Sequence, residues 1–367
     1  MSIQKRNDGS YRVNVELGID PITNKRNRIT RVAYSKREAI DLERKITNEH
    51  KNNTLITENL SFSKVCYAYT EECKIHQKPG TYKILEYNIN KHIFPYFKDS
   101  LLKKISSEHI REYQKNLIDQ GLNNKTINNI MINLSEIFNK ALEFEVIKSN
   151  PCINVKNLKL NKKEMKFWTP DQFKTFIGLI KDDEFLFKTF YSLAYLTGMR
   201  TGEMLALKWN DISTFNREIN VYKTLTYIER ETIITEPKTK NAIRRININQ
   251  KLLQLLFEWK EKQQNLFAKL RMNHSNDIYI FQYRENPPSK DIFSRRIRKI
   301  CERGDVEPIR LHDLRHSHVA LLIHQGEDHT TIKERLGHAS IKTTIDVYGH
   351  LFPNKQKETA DRLDDLF

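Results

Sequence analysis

Alternating apolar and polar residues open the chain. Between Tyr11 and Ile19 every second residue is apolar, which is typical of a half-buried strand. A turn and a second, less regular strand follow over residues 20–34. Ser35 and Glu38 have the spacing of a capping box, so a helix is predicted from there to about His50. The first fifty residues therefore predict a small α+β module.

Helical spacing dominates the next hundred residues. Apolar residues three and four positions apart run through 125–144, and a helix before it is predicted to begin after a serine and to end at Gly121. Asn150–Pro151 ends this set of helices, because the residue before proline disfavours helical backbone. Residues 156–168 are polar, basic and without a clear period, so we interpret them as a linker between domains.

The remaining residues predict a mainly helical unit with a small β insert. A capped helix start is expected over 169–172, and helical spacing continues to about Asp211. Residues 218–248 change to strand patterns, in which 233–248 predict a hairpin with Lys238 at its tip. Helices then return. The fold class is therefore a multidomain, mainly α protein with small sheets.

Positive charge points to a polyanionic partner. The chain has 62 Lys and Arg against 46 Asp and Glu, a net charge of +16 with a pI near 9.5. Nucleic acid is the first candidate, ahead of a basic surface that only aids solubility. The residues expected to contact DNA are Arg12, Lys25, Arg26, Arg28 and Arg31 in the first module and Lys162 and Lys163 in the linker.

Several classes of protein are disfavoured by what the sequence lacks. It has no apolar signal segment or membrane-spanning run, and its 4 cysteines are scattered, so we expect a cytoplasmic protein with buried, reduced thiols. Glycine-rich phosphate loops and calcium loops are also absent. Any phosphate chemistry is therefore expected to rely on side chains.

Four short patches in the last unit carry candidate chemistry. They are LTGMRTGEML, EPKTK, LHDLRHSH and LGHASIKTTIDVYGH, which contain Arg200, Lys238, His312, Arg315, His338 and Tyr348. Singly, each residue has an ordinary structural explanation. His312 and His316 have a spacing that zinc ligands use, but no third ligand stands at a recognisable metal spacing, so no metal site is expected.

Together the six residues meet the needs of metal-free phosphodiester cleavage. Guanidinium groups hold the extra negative charge of the transition state, and imidazoles add hydrogen bonds or move a proton. An acid protonates the departing 5′ oxygen, and a tyrosine attacks phosphorus to give a phosphotyrosyl ester.

In the order and spacing of LTGMRTGEMLALKW, HDLRHS and LGHASIKTTIDVYGH, the chain resembles the tyrosine recombinases, or phage-type integrases. The likeness is greatest to those of conjugative transposons and temperate phages of low-GC bacteria. The resemblance implies two phosphate-clamping arginines, a general-acid lysine, two active-site histidines, a tyrosine nucleophile and a glutamate that orients the arginines. The arginines are Arg200 and Arg315, and the histidines are His312 and His338. The lysine is Lys238, with Lys240 as the alternative. The nucleophile is Tyr348, and the glutamate is Glu203.

The same resemblance implies the architecture and the reaction. Residues 1–55 would be an arm-type DNA-binding domain with three strands and a helix, 60–155 a helical, SAM-like core-binding domain, and 169–367 the catalytic domain with a C-terminal tail helix that docks on a neighbouring protomer. A homo-tetramer on double-stranded DNA, at core-type and arm-type sites, would integrate and excise a mobile element. It would act through a 3′-phosphotyrosyl intermediate and a Holliday junction, without a cofactor. An excisionase and a host DNA-bending protein are the accessory partners implied.

Three other functions share part of this pattern. A DNA-binding protein that does not cut would have the same positive charge, but it has no use for the six-residue set. A metal-dependent nuclease would use the histidines and would be sensitive to EDTA. A type IB topoisomerase shares the chemistry, and the amino-terminal module favours the recombinase over it.

Overall fold

The computed structural model describes residues 2–19, 26–51, 60–160, 165–228, 231–237 and 240–337, together with the single positions 340, 342, 345 and 348. The chain divides into two compact units, residues 1–162 and 163–367. The prediction of a mainly α protein with small sheets is confirmed.

The first unit begins with an antiparallel sheet and one helix. The strands are β1 (Ser2–Lys5), β2 (Tyr11–Ile19) and β3 (Arg26–Ala33), in the order β1-β2-β3, and α1 (Lys36–Lys51) follows. Val13 and Val15 pack with Ala39 and Ile46 of α1 in a small core. The two predicted strands and the helix are present. The strand β1 is too short to show a sequence pattern of its own.

A helical bundle with a separate core completes the first unit. Its helices are α2 (Phe62–His76), α3 (Pro79–Asn88), α4 (Phe94–Phe97), α5 (Ser107–Asp119) and α6 (Asn124–Glu143). The predicted stripe of α6 is buried, from Ile127 to Phe138, against the other helices. Asn150 fixes the end of the bundle, since its side chain donates to Ser135 O and to Asn139 Oδ1 at 3.0 and 2.7 Å.

The described ends of the predicted linker, residues 156–160 and 165–168, are more ordered than their sequence indicates. The side chain of Asn128 makes two hydrogen bonds to the backbone of Leu158. Its Oδ1 accepts from the N–H and its Nδ2 donates to the carbonyl, each at 2.9 Å. At the other end Trp168 is buried in the second unit, where its backbone N–H donates to Ser317 Oγ at 2.9 Å. Polar composition marked this stretch as a linker, but asparagine side chains satisfy an extended backbone without any apolar period.

The second unit is built around a helix that is buried on nearly all sides. Its helices are α7 (Pro170–Gly178), α8 (Phe185–Thr197), α9 (Thr201–Ala206), α10 (Gln250–Lys269), α11 (Lys290–Cys301), α12 (Asp313–His324) and α13 (His329–Leu336). The central helix is α8, and its Phe190 stacks on Phe293 of α11 with ring centroids 3.7 Å apart. The predicted cap of α7 is present, because Thr169 N–H donates to Gln172 Oε1 at 2.9 Å.

The hairpin predicted over 233–248 is wrong. The strands of this region are β4 (Ile212–Ser213), β5 (Glu218–Val221), β6 (Thr224–Ile228), β7 (Glu231–Thr235) and β8 (Arg244–Asn247). One sheet has the order β4-β5-β8, and β6 pairs with β7 in another. Ile246 of β8 lies opposite Ile219 of β5, and both are buried, so core packing selects a more distant partner than the adjacent strand. Lys238, three residues after the end of β7, lies outside the described residues.

A buried carboxylate ties α8 to α11 and gives a stability prediction. Glu184 accepts from Arg296 Nη1 at 2.9 Å and from Arg303 Nη2 at 2.8 Å. The hydrogen bonds and charge of Arg303, with a smaller contribution from Arg296, lower the pKa of Glu184 from 4.5 to about 2, against the effect of burial. Glu184→Gln should lower the free energy of unfolding by about 2 kcal/mol at pH 7.

The pH dependence of that loss follows from the sign of the shift. A folded-state pKa below the unfolded one gives stability that is present above pH 4.5 and is lost as the pH falls toward 2. Urea unfolding at pH 7 and at pH 3 should therefore show a smaller difference between wild type and Glu184→Gln at the lower pH. The exposed Glu302→Gln is the control, and an equal loss in that variant would contradict the account.

Candidate active site

A left-handed turn places the first arginine. Gly198 ends α8 at φ 63°, and a Cβ on it would lie 2.6 Å from Cδ2 of His318, so this position requires glycine. Two residues later Arg200 precedes α9. Its Nη1 donates to Oε1 of Glu203 at 2.8 Å, and its backbone N–H donates to Oε2 of Glu203 at 3.0 Å. Glu203 therefore fixes both the side chain and the backbone of Arg200.

A second arginine shares the same carboxylate. Arg244 Nη2 donates to Oε2 of Glu203 at 2.9 Å, and its Nε donates to the carbonyl of Arg335 at 2.8 Å. Burial acts to raise the pKa of Glu203, but Arg244 and Arg200 outweigh it and lower that pKa, so the carboxylate is ionised at neutral pH. Arg244 thereby joins β8 to α9 and to the end of α13. No local pattern in the sequence distinguishes Arg244 from other basic residues.

Arg315 lies buried at the centre of the site. From α12 its Nη1 donates to the carbonyl of Gly198 at 2.7 Å, and its Nη2 donates to the carbonyl of Leu336 at 2.8 Å. Burial, together with the charge of Arg200, lowers its pKa to about 9, which leaves it charged at neutral pH. Two carbonyls from different elements thus hold a buried cation close to Arg200.

The end of α13 is fitted closely to the segment that follows Lys238. Gly337 ends α13 at φ 66°, and a Cβ on it would lie 3.0 Å from the carbonyl of Asn241 and 3.2 Å from Cα of Ala242. Only glycine suits both the left-handed backbone and this contact. The residue after Gly337 is His338, which lies outside the described residues. The chain therefore leaves α13 beside residues 241–242.

Two histidines and the tyrosine adjoin the arginines. His312 precedes α12 at an exposed position, and its ring lies 5.1 Å from that of His316. Nδ1 of His316 lies 2.6 Å from Oη of Tyr348. Partial burial and the charge of Arg315 lower the pKa of His312, while burial and the neighbouring His312 lower the pKa of His316 to about 4. Both imidazoles are therefore neutral at pH 7.

Tyr348 is buried in an apolar pocket. Only 2% of it is exposed, and it packs with Val319, Ile323, Ile332 and Leu336. Burial raises the pKa of its phenol to about 12, although the charge of Arg315 acts in the opposite direction. At neutral pH the hydroxyl is thus protonated, and a phenol in this state is a good nucleophile only where a proton acceptor is within reach.

His318 has a structural role. Its Nδ1 lies 2.8 Å from the carbonyl of Tyr195, and its Nε2 lies 3.1 Å from Nε of Arg335. The ring is therefore neutral, with its proton on Nδ1. Burial lowers its pKa to about 3, so it stays neutral across the working pH range.

The structure brings part of the predicted set together. Arg200, Glu203, His312, Arg315 and Tyr348 converge around α12. The predictions for Lys238, His338 and the tail helix fall outside the described residues. His316 was noted in the sequence only as half of a zinc-like pair, and its contact with Tyr348, 32 residues away, leaves no local signal.

The basic residues of the first module do not share one face. Arg12 lies opposite Val32 and Arg28 lies opposite Glu16, on the face away from α1. Arg31 lies opposite the buried Val13, so its register puts it on the α1 side, although its side chain is exposed there. Because side chains alternate along a strand, Arg31 does not share the face of Arg12 and Arg28. Lys25, Lys162 and Lys163 lie outside the described residues, and for Arg26 only the backbone is described.

Neither metal ligands nor a membrane span is found among the described residues. No three His, Cys, Asp or Glu side chains within those residues approach closely enough to hold a metal ion. Over the same ranges, no helix has the length and apolar character needed to cross a bilayer. The four cysteines, Cys66, Cys73, Cys152 and Cys301, are described, and all are buried and unpaired.

Comparison with known proteins adds independent information. The phage integrase family matches residues 166–355, and the N-terminal SAM-like domain of phage integrases matches residues 61–118. The chain is 54% identical to the ICEBs1 integrase of Bacillus subtilis (strain 168) over 367 residues, which cover 100% of both chains.

Solved structures share the fold at lower identity. The integrase of transposon Tn1549, solved in complex with transposon right end DNA, has a TM-score of 0.68 at 19% identity, covering 84% of this chain and 99% of that one. A lambda integrase tetramer bound to a Holliday junction has a TM-score of 0.56 at 18% identity, covering 92% of each chain. At these identities the likeness establishes the fold.

Proposed function

Since this chain belongs to the phage integrase family and is a site-specific tyrosine recombinase, we propose that it cuts DNA at the cluster around Arg315 and Tyr348. The observation that carries this proposal is the convergence on α12. One helix holds the buried cation Arg315 and, through His316, the hydroxyl of Tyr348. A cation fixed beside a buried phenol is suited to attack on a phosphodiester.

Two arginines and a histidine would bind the scissile phosphate. Arg315 is already oriented by two carbonyls, and Arg200 is oriented by Glu203, so neither has to reorganise when charge develops on the non-bridging oxygens. His312, neutral and exposed at the start of α12, can donate a further hydrogen bond. His338 is proposed as the second imidazole at this phosphate.

Tyr348 would act as the nucleophile and Lys238 as the general acid. The phenolic oxygen attacks phosphorus, the bond from phosphorus to the 5′ oxygen breaks, and the lysine ammonium protonates the departing oxygen. The product is a 3′-phosphotyrosyl ester that a 5′ hydroxyl from another strand can attack in reverse. One exchanged strand pair gives a Holliday junction, and a second exchange resolves it. Lys240 is the alternative acid.

We propose that the first unit binds the arm-type and core-type DNA sites. In the first module (residues 1–55) Arg12 and Arg28 lie on the solvent face of the sheet, which suits contact with a phosphate backbone, and Arg31, Lys25 and Arg26 are proposed as additional contacts. The bundle over residues 60–155 would grip the core site, and Lys162 and Lys163 would follow the DNA between the units. The catalytic domain would span residues 169–367.

Assembly and biological setting are proposed from the relatives. The lambda integrase tetramer on a Holliday junction supports a homo-tetramer formed on DNA. The tail helix is proposed to dock on a neighbouring protomer. The ICEBs1 integrase supports an integrase activity, and the same strand exchange is proposed to integrate and excise a mobile element. The protein would act in the bacterial cytoplasm on nucleoid DNA, with an excisionase and a host DNA-bending protein as accessory partners.

A nicked duplex that carries the DNA flanking its own gene tests the proposal. Purified protein in EDTA should form an SDS-resistant protein–DNA adduct, because no step needs a metal. A salt-sensitive gel shift without any adduct would instead indicate a DNA-binding protein that does not cut. Strand cleavage that stops when EDTA is added would instead favour a metal-dependent nuclease.

The identity of the general acid gives a separate prediction. Lys238→Ala should slow cleavage of ordinary DNA by about 10²–10³-fold, within the range of general-acid effects. A substrate in which sulfur replaces the bridging 5′ oxygen should restore the rate, since a thiolate leaves without being protonated. Lys240→Ala should cut both substrates normally. If Lys240→Ala is instead the slow variant, and the sulfur substrate restores its rate, then Lys240 is the general acid.

A further inference from the structure

One histidine touches the proposed nucleophile, although no role in the reaction has been given to it. Nδ1 of His316 lies 2.6 Å from Oη of Tyr348, and the two rings are 5.6 Å apart at an interplanar angle of 56°. At this distance the two atoms form a hydrogen bond, so one of them donates a proton to the other. Tyr348 is closed off from solvent by apolar side chains, so His316 is a proton acceptor that the hydroxyl can reach without water.

The charges around His316 determine which atom carries the proton. His312, Asp313 and Arg315 face it from the same helix, Arg310 faces it from the preceding residues, and Tyr348 faces it from the C-terminal segment. Burial, His312 and the two arginines disfavour the imidazolium, and Asp313 alone favours it. The ring is therefore neutral at pH 7. The phenol donates and Nδ1 accepts, which leaves the ring proton on Nε2.

The helix holds this acceptor in a fixed place. On one side of His316, Arg315 is bonded to two carbonyls; on the other, Ser317 Oγ accepts from the backbone of Trp168 at 2.9 Å. His318 is held between Tyr195 and Arg335. Neighbours fixed on both sides leave His316 little freedom, so α12 presents the phosphate-binding guanidinium and the phenol's partner one residue apart.

We propose that His316 is a further catalytic residue that takes the phenolic proton of Tyr348 as Oη attacks phosphorus. The inference rests on the proposed role of Tyr348. In cleavage the Oη–P bond forms, the bond to the 5′ oxygen breaks, the proton passes from Oη to Nδ1, and Lys238 protonates the 5′ oxygen. In rejoining, the 5′ hydroxyl attacks phosphorus and returns its proton to Lys238. The phenolate leaves and recovers its proton from His316.

The test separates proton transfer from the nucleophile from proton transfer to the leaving group. On the nicked duplex with sulfur at the bridging 5′ position, the rate no longer depends on the acid. His316→Ala should form the adduct about a hundredfold more slowly than wild type, within the range for general-base catalysis. Its rate should rise tenfold per pH unit between about pH 7 and pH 8.5, as solvent takes over the proton, while wild type stays flat over this range, which lies below the pKa of Arg315. Added imidazole should restore part of the rate.

A second variant separates proton transfer from a hydrogen bond. In His316→Asn the amide oxygen can accept from the phenol but cannot take its proton, so this variant should be as slow as His316→Ala. Asparagine at the wild-type rate would show that His316 only positions the hydroxyl, which overturns the proposal. A His316→Ala variant that cuts as fast as wild type, or faster, would also overturn the proposal. The hydrogen bond from Tyr348 to His316 would then only hold the tyrosine in place in the DNA-free protein.

Controls keep folding and the nucleophile assignment apart from this result. His324→Ala alters an exposed histidine in the last turn of the same helix and should cut at the wild-type rate. Thermal unfolding of the two His316 variants checks that they fold. An adduct in Tyr348→Phe on the same DNA would mean that the proposed nucleophile is wrong. Loss of the adduct in Tyr348→Phe, with normal rates in both His316 variants, would overturn this inference alone.

Discussion

Tyr348→Phe is expected to abolish the covalent protein–DNA adduct while leaving DNA binding intact. Phenylalanine keeps the ring that packs with Val319 and Leu336, and it removes only the hydroxyl that contacts His316. The loss should be complete, because the substitution removes the oxygen that is proposed to bond to phosphorus. SDS gels of the nicked duplex reaction measure the adduct, and gel shifts at a fixed salt concentration measure binding.

A matched tyrosine variant makes that result specific. Tyr283 lies partly buried in the same unit, stacked with Arg284 and away from the cluster on α12. Tyr283→Phe should form the adduct at the wild-type rate. The assignment fails if Tyr348→Phe still forms adduct, or if both variants lose it together with their thermal stability.

Arg200→Ala should slow strand cleavage by about 10²–10³-fold, or roughly 3–4 kcal/mol of transition-state stabilisation. The guanidinium donates to Glu203 through one nitrogen, and 41% of the side chain is exposed, so its other donors can reach a phosphate. Single-turnover rates of adduct formation at saturating protein measure the effect. Affinity should change little, since one phosphate contact among many is lost.

The stability of this variant separates catalysis from folding. Glu203 keeps Arg244 as a partner when Arg200 is removed, so the melting temperature should stay close to that of wild type. Arg200→Lys retains the charge but lacks the planar fork, and it should recover only a small part of the rate. Full recovery in the lysine variant would contradict a bidentate role, and a large drop in melting temperature in both would point to a structural one.

Helix caps and apolar periods in the sequence correctly predicted the helices whose start or buried face depends on residues a few positions apart. The cap at Thr169 and the stripe of α6 were readable, because a capping side chain and a 3.6-residue period act within a few positions. The strand pairing of the β insert was not readable. Whether β8 pairs with β7 or with β5 depends on the burial of Ile219 and Ile246 in a core assembled from the whole unit.

In the candidate site, too, residues in local motifs could be predicted and residues that depend on long-range contacts could not. The spacing of the motifs predicted Arg200, Arg315 and Tyr348 as candidate site residues, since these residue types together suit phosphodiester cleavage. The sequence did not indicate Arg244 or His316 as partners, because their contacts join residues 41 and 32 positions apart. An arginine in a strand and a histidine in a helix have many ordinary explanations until the fold places a carboxylate or a phenol beside them.

The most direct test of the central claim is to locate the covalent bond. Adduct formed in EDTA on the nicked duplex would be digested with nuclease and trypsin, and the peptide that carries the residual nucleotide would be sequenced by mass spectrometry. The expected result is a single modified peptide spanning residues 343–355, with the nucleotide on Tyr348. A nucleotide attached to any other residue, or an adduct that survives in Tyr348→Phe, would contradict it.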